Sequence, residues 1–241
     1  MVSFFAGIQN ALAGGGSFLT LPTLMFTGLN ARAANITSTI ALFPGQVTTG
    51  LAGKKYVSDL PLVSFKVLFS ISLVGGIIGA FLLIKTPVKI FEYLVPWLVL
   101  FATLVFIWGN YFKKKGESKS HISPIKTIIS QFIIAIYGGY FGGGIGILML
   151  AALTLSGLAV RNAGATKNVL AAVMNASAVA VFLFSKDIAW TQAIVACVGA
   201  IIGGQVGAYA LHRVNEKILR FFIIVLGFSL ALGLFLKAGN I

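Results

Sequence analysis

A lysine held among polar residues inside an otherwise apolar stretch can bind an anion, and Lys167 stands that way between Thr166 and Asn168. Asn175 follows Asn168 by seven residues, and Thr39 and Gln46 repeat the interval. Seven residues return a helix to within about 20° of its starting face and about 10.5 Å along its axis. Each pair therefore draws a polar line along one helical face. Thr37, Ser38 and Thr39 occupy the place in the first half of the chain that Thr166, Lys167 and Asn168 occupy in the second. Lys167 has Ser38 as its counterpart, so the repeat itself does not require a lysine there. Ammonium, amide and hydroxyl groups without a carboxylate suit a small oxyanion. Packing readings compete: polar residues cap helices or join them across an interface, and lysines snorkel to water. Thr37 fits a cap as well as it fits a ligand.

A second source of anion chemistry lies in two glycine runs, Gly14, Gly15 and Gly16 ahead of Ser17, and Gly142, Gly143 and Gly144. A glycine-rich break followed by a helix start offers free backbone N–H groups and a positive dipole end. The stretch from Thr127 to Leu158 is apolar for 32 residues. As one helix it would be about 48 Å long, well beyond a hydrocarbon core of about 30 Å. Two half-helices meeting at a break within Tyr137 to Gly146 fit better. The first half repeats the pattern, with Phe4 to Leu12, a break at Ala13 to Ser17, and Phe18 to Thr27 bent further at Pro22. Irregular backbone at membrane depth is tolerated where it lines a cavity.

These residues need elements to hold them, and the composition says which. Hydrophobic residues make up 58% of the 241 and charged residues 10%, against about 25% charged in a soluble domain. Leu62 to Ile84, Phe91 to Trp108, Ala189 to Leu211 and Ile218 to Leu236 are long enough to cross a bilayer as helices. The expected fold is an all-α polytopic membrane protein built from two homologous repeats. Gly142 to Gly144 follows Gly14 to Gly16 at an offset of 128, Arg161 to Asn168 follows Arg32 to Thr39 at 129, and Gly203, Gly204 and Gly207 follow Gly75, Gly76 and Gly79 at 128. Internal repeats of this kind mark secondary transporters. The chain divides into a first repeat over 1–112, a basic linker over 113–126 and a second repeat over 127–241, each repeat opening on a Gly-broken segment followed by three transmembrane helices. Gly75 and Gly79, and Gly199, Gly203 and Gly207, form small-residue rows for close helix packing. Trp97, Trp108 and Trp190 suit interfacial anchoring. Met1 to Ala13 lacks the basic residues of a signal peptide and reads as structure.

Charge bears on topology. If the opening segments cross the membrane, the 18 Lys and Arg divide ten to eight. If both are re-entrant, the repeats are inverted and the split is thirteen to five, with the linker on the rich side. The positive-inside rule favours the inverted arrangement with a cytoplasmic linker. The acids Asp59, Glu92, Glu117, Asp187 and Glu216 all fall near the ends of apolar runs. Cation pathways and proton relays place a carboxylate inside the membrane, so the chain reads as an anion carrier. Arg32 and Arg161, in short connections, read as interface anchors. Cys197 lies in an apolar run and reads as a buried, inert thiol, while His121 and His212 lie in basic segments with no ligand cluster. No metal or cofactor is expected. No nucleophile–base pairing, phosphate loop or dinucleotide fingerprint is present, which argues against an enzyme.

The runs Gly14 to Pro22 and Ala34 to Ser38, with Ala165 to Asn168 and Asn175, resemble those of the sulfite exporter TauE/SafE transporters. The resemblance spans almost the whole chain. It implies a multi-pass protein of the prokaryotic inner membrane that carries sulfite, a sulfonate or another small sulfur-containing or organic anion, working in lipid and without nucleic acid. A homo-oligomer stays open. Asn35 and Ile36 ahead of Thr37 and Ser38 depart from the family's pattern, which expects a small residue there. An anion channel and a non-transporting scaffold or assembly factor are the alternatives, separated from a carrier by flux, saturation and counterflow.

Overall fold

A computed structural model describes residues 1–12, 15–108, 123–210 and 216–238, and among these every regular element is helical. Among the described residues each half carries five α-helices. The first has α1 (Val2–Leu12), α2 (Ser17–Phe26), α3 (Ala31–Gly53), α4 (Phe65–Lys85) and α5 (Val88–Ile107), and the second has α6 (Pro124–Tyr140), α7 (Ile145–Leu155), α8 (Val160–Phe182), α9 (Trp190–Ala210) and α10 (Glu216–Ala238). Helices α4, α5, α8 and α9 are long and apolar enough to cross a membrane. Their outward side chains, among them Phe69, Leu73, Phe81, Ile194, Val198 and Ile202, are exposed, as a surface solvated by lipid would be.

Both opening segments break where glycines stand, and both double back. Gly15 has φ +84°, and Gly142 and Gly144 have +79° and +74°, backbone that side chains with a Cβ rarely adopt. Thr127, near the start of α6, shares a hydrogen bond of 2.9 Å with Ser156, just past the end of α7. Met1 and Thr27, at the two outer ends of the first hairpin, line one cavity. The second break is shorter than the expected Tyr137 to Gly146. Gly138 and Gly139 stay helical because they are packing residues: a Cβ on Gly139 would overlap the Gly76 carbonyl of α4, and one on Gly138 the Met174 side chain. Pro22 lies inside α2 and does not end it.

The small-residue rows fit the two halves together crosswise. Gly75 and Gly79 of α4 lie against Ala135, Ile136 and Tyr140 of α6, while Gly199, Gly203 and Gly207 of α9 lie against Ser3, Phe4 and Ile8 of α1. Each half's fourth helix thus seats the other half's opening helix. Helices α3 and α8 meet at the centre, and α5 packs on α10 at the periphery. Arg32, at the start of α3, pairs with Asp187, beyond the end of α8, at 2.8 Å. Arg161, at the start of α8, donates to the Tyr56 hydroxyl, beyond the end of α3. The two central helices therefore lie with the start of each against the end of the other. Phe18, Phe91, Phe141 and Phe182 are buried in the main apolar cluster around this crossing.

Several sequence expectations need correction. Arg32 opens α3 and is tied to Asp187 by an ion pair, a partner the sequence did not suggest. Cys197 is half-buried instead of buried. Trp108 and Trp190 are half exposed near helix ends, but Trp97 is at the midpoint of α5, its ring edge-on to Phe235. Glu117, His121, His212 and most of the linker lie outside the described residues, and the linker's last three residues, Pro124 to Lys126, belong to α6.

Candidate functional site

A central cavity lies where the two hairpin tips meet the crossing of α3 and α8. Its walls are Gly15 from the first break and Ser17 at the start of α2, Gly142 from the second break and Gly146 in the first turn of α7, Ser38, Thr39, Gln46 and Thr49 from α3, and Lys167, Asn168 and Asn175 from α8, closed by Asn10, Leu42, Phe141, Ile145 and Ala171. The cavity has about 40 Å³ of free volume, against roughly 10–15 Å³ for one water. It accommodates a few waters or one small oxyanion. The first N–H groups of a helix have no partner within it, and for α7 these belong to Ile145 and Gly146 on the cavity wall.

The paired seven-residue spacing explains how the long helices reach the site. Ser38, Thr39, Leu42 and Gln46 of α3 line it, and so do Lys167, Asn168, Ala171 and Asn175 of α8, the same four positions at an offset of 129. The two lines converge at their far ends, where Asn175 Nδ2 donates to Gln46 Oε1 across the repeat boundary. Asn175 Oδ1 is buried and has no hydrogen-bond partner among the described residues. Ser38 and Thr20 share a hydrogen bond of 2.5 Å, which occupies the serine hydroxyl. Thr39 donates to the Asn35 carbonyl at 2.9 Å.

Lys167 is 9% exposed. A snorkelling lysine keeps its ammonium in water; this one faces the cavity. The sole ion pair among the described residues is Arg32 with Asp187, so no carboxylate there neutralises Lys167. A buried ammonium without a counter-charge is costly and draws a negative ligand. Among the described residues no group of His, Cys, Asp and Glu could hold a metal ion.

Not every expected residue reaches the cavity. Thr37 accepts a hydrogen bond from the Ala189 backbone N–H, just ahead of α9, and Thr166 accepts one from the Ser58 backbone N–H. Both stand two positions before a lining residue, about 200° around the helix, and so point away from the site. Asn30 caps α3 in place of Thr37, accepting from the Ala33 N–H at 2.9 Å. Gly16 packs under the Ala6 carbonyl, Gly143 sits beside the Phe141 ring and Gly144 starts α7 against Ala102. None of the three is among the lining residues, and Gly14 lies outside the described residues. Asn10, Thr49 and Phe141 line the cavity without having been expected there. Their equivalents in the other half are Gly138, Ala178 and Ala13, so a search for duplicated polar residues passes over them.

The family model described as "Sulfite exporter TauE/SafE" matches residues 1–234. The chain is 28% identical to a "Probable membrane transporter protein" of Haemophilus influenzae, over 95% of this chain and 90% of the relative. It is 28% identical to the "Probable membrane transporter protein ORF9" of Sinorhizobium sp, over 97% and 90%. It is 25% identical to the "Probable membrane transporter protein YfcA" of Escherichia coli K12, over 93% and 83%. No solved structure matches the chain.

Proposed function

Because the chain belongs to the sulfite exporter TauE/SafE family, and is on that ground a membrane transporter, we propose that it is a secondary carrier for a small anion. Sulfite, a sulfonate or a related sulfur-containing or organic anion is the class, moved across the inner membrane by alternating access. The observation that carries this reading is Lys167, buried on the wall of a cavity of hydroxyl and amide groups, with no carboxylate partner among the described residues. The anion sits between the two halves, held by Lys167, Asn168 and Asn175 from α8, by Gln46 from α3 and by the N–H groups that open α7, with Ser38 and Thr39 shaping the α3 wall. Site and pathway coincide there, since irregular backbone inside a membrane requires a cavity to satisfy it.

The two repeats are inverted with respect to the membrane, and the opening hairpins re-enter. The reciprocal contacts of Arg32 with Asp187 and of Arg161 with Tyr56 support this, as does the hydrogen bond between Thr127 and Ser156. In that topology Lys54, Lys55, Lys66, Lys113, Lys114, Lys115, Lys119, Lys126, Arg161, Lys167, Arg213, Lys217 and Arg220 share one side. Arg32, Lys85, Lys89, Lys186 and Lys237 share the other. The richer side faces the cytoplasm.

The test is flux. Purified protein in proteoliposomes should take up labelled sulfite or a small sulfonate saturably and show counterflow. Flux without saturation or counterflow would make it a channel, and no flux for any small anion would make it a non-transporting protein. Cysteines placed at Glu117 and Asp187 in a Cys197→Ser background should label from opposite sides, and labelling from the same side would reject the inverted topology.

A further inference from the structure

The duplicated sequence carries two arginine–aspartate sets, of which one is joined. Arg32 and Arg161 open α3 and α8 at equivalent positions, and Asp59 and Asp187 stand at an offset of 128 in the connections that follow those helices. Arg32 crosses to the other half. Its Nε and Nη2 donate to Asp187 at 2.9 and 2.8 Å, and its Nη1 donates to the Thr86 carbonyl at 2.7 Å, so one guanidinium ties the start of α3 to the α8–α9 connection and to the end of α4. The equivalent crossing would take Arg161 to Asp59. It is not made. Arg161 donates to the Tyr56 hydroxyl at 2.6 Å with its guanidinium 4.0 Å over the ring, and Asp59 accepts from the Phe65 N–H at 2.6 Å.

The separated partners are nevertheless neighbours. Asn162 donates to the Ser58 hydroxyl at 2.6 Å, and the Ser58 N–H reaches Thr166, so the residues flanking Asp59 and Arg161 already touch. Both side chains are exposed. Tyr56 has Phe184 as its equivalent, a ring without a hydroxyl that is 91% exposed. The parking place offered to Arg161 has no copy on the side of Arg32. Sequence symmetry and contact asymmetry thus meet at one pair of ends.

We propose that Asp59 and Arg161 are a second latch of the transport cycle, joined in the state that faces opposite to this one. In that state Arg161 leaves Tyr56 for Asp59, while Arg32 and Asp187 separate. The inference rests on the inverted-repeat carrier reading. Two inverted halves that exchange conformations give each facing state the mirror of the other's contacts, and the mirror of Arg32 with Asp187 is Arg161 with Asp59. The ionic latch now closed marks the sealed end, and the neutral contacts of Arg161 mark the end free to move.

Asp59→Asn and Asp187→Asn test this in a Cys197→Ser background with a cysteine at Ala171 on the cavity wall, labelled by an impermeant thiol reagent from each side of oriented vesicles. The two variants should shift the labelling ratio in opposite directions, each by threefold or more. Asp59→Asn should lower anion flux about tenfold, and Asp59→Arg combined with Arg161→Asp should restore it above either single change. The exchanged pair also covers the case in which one single variant folds poorly. Unchanged labelling and flux in Asp59→Asn, or an exchanged pair no better than the singles, would overturn the latch while leaving the carrier reading intact. Absence of flux from the parent protein would overturn both.

Discussion

The cavity faces of α3 and α8 have the same backbone register and different chemistry. Positions 38, 39, 42 and 46 of one match 167, 168, 171 and 175 of the other, and all eight line the site. On α3 the second-turn hydroxyl of Ser38 is taken up by Thr20. On α8 the same position holds Lys167, 9% exposed and without a carboxylate among the described residues. Duplication therefore supplied the shape of the site twice, and one unduplicated residue supplies its charge. A symmetric pocket would hold an anion about its axis; on the proposed reading this one would draw it toward α8.

The largest losses are expected at the glycines, which belong to both halves alike. Gly15→Val and Gly142→Val each force a β-branched residue to positive φ, a strain of roughly 1–3 kcal/mol or more, and add atoms beside the anion. Proteoliposome flux should fall a hundredfold or more in both, in protein that still elutes as a single species. A loss in one half alone would mean that only one break serves the site. Moving the charge from α8 to α3 comes next. Lys167→Ser should weaken anion binding by about 10- to 150-fold, the value of a charged hydrogen bond of roughly 1.5–3 kcal/mol. Adding Ser38→Lys to that variant should recover most of the loss if the two faces are equivalent scaffolds, as measured by calorimetric titration.

Smaller effects should follow the hydrogen bonds. Asn175→Ala breaks the amide contact with Gln46 and should cost about 2- to 10-fold in affinity, in line with a neutral hydrogen bond of roughly 0.5–1.5 kcal/mol. Ser38→Ala should change affinity about twofold at most, because its hydroxyl already serves Thr20. The smallest change belongs to Gly164, where an added Cβ would meet nothing within 4 Å among the described residues. Gly164→Ala should leave flux unchanged and raise thermal stability slightly, by up to about 1 kcal/mol of helix propensity.

Much of this was legible in the chain. The seven-residue spacing of Thr39 with Gln46 and of Asn168 with Asn175 picked out four lining residues, because helical periodicity carries a face faithfully over two turns. The glycine runs located both breaks, since positive φ demands glycine. Thr37 and Thr166 misled for the same geometric reason: two residues from a lining position is the far side of the helix. Gly138 and Gly139 looked like a break and are instead a packing surface, which only their neighbours Met174 of α8 and Gly76 of α4 reveal. Asn10 was hidden because its equivalent is Gly138, and Phe141 because an apolar residue carries no polar signal. The pairing of Arg32 with Asp187 joins residues 155 apart in sequence, beyond the reach of any local pattern.

If Lys167 holds the anion, removing its charge while keeping its bulk should release the anion without unfolding the protein. Titration of purified Lys167→Met with sulfite and with a small sulfonate, beside its thermal unfolding in detergent, should give an affinity about 10- to 150-fold weaker than that of the parent. The unfolding midpoint should be equal or higher, since a buried uncompensated ammonium costs stability. An unchanged affinity, or a loss of affinity no larger than the accompanying loss of stability explains, would contradict the account.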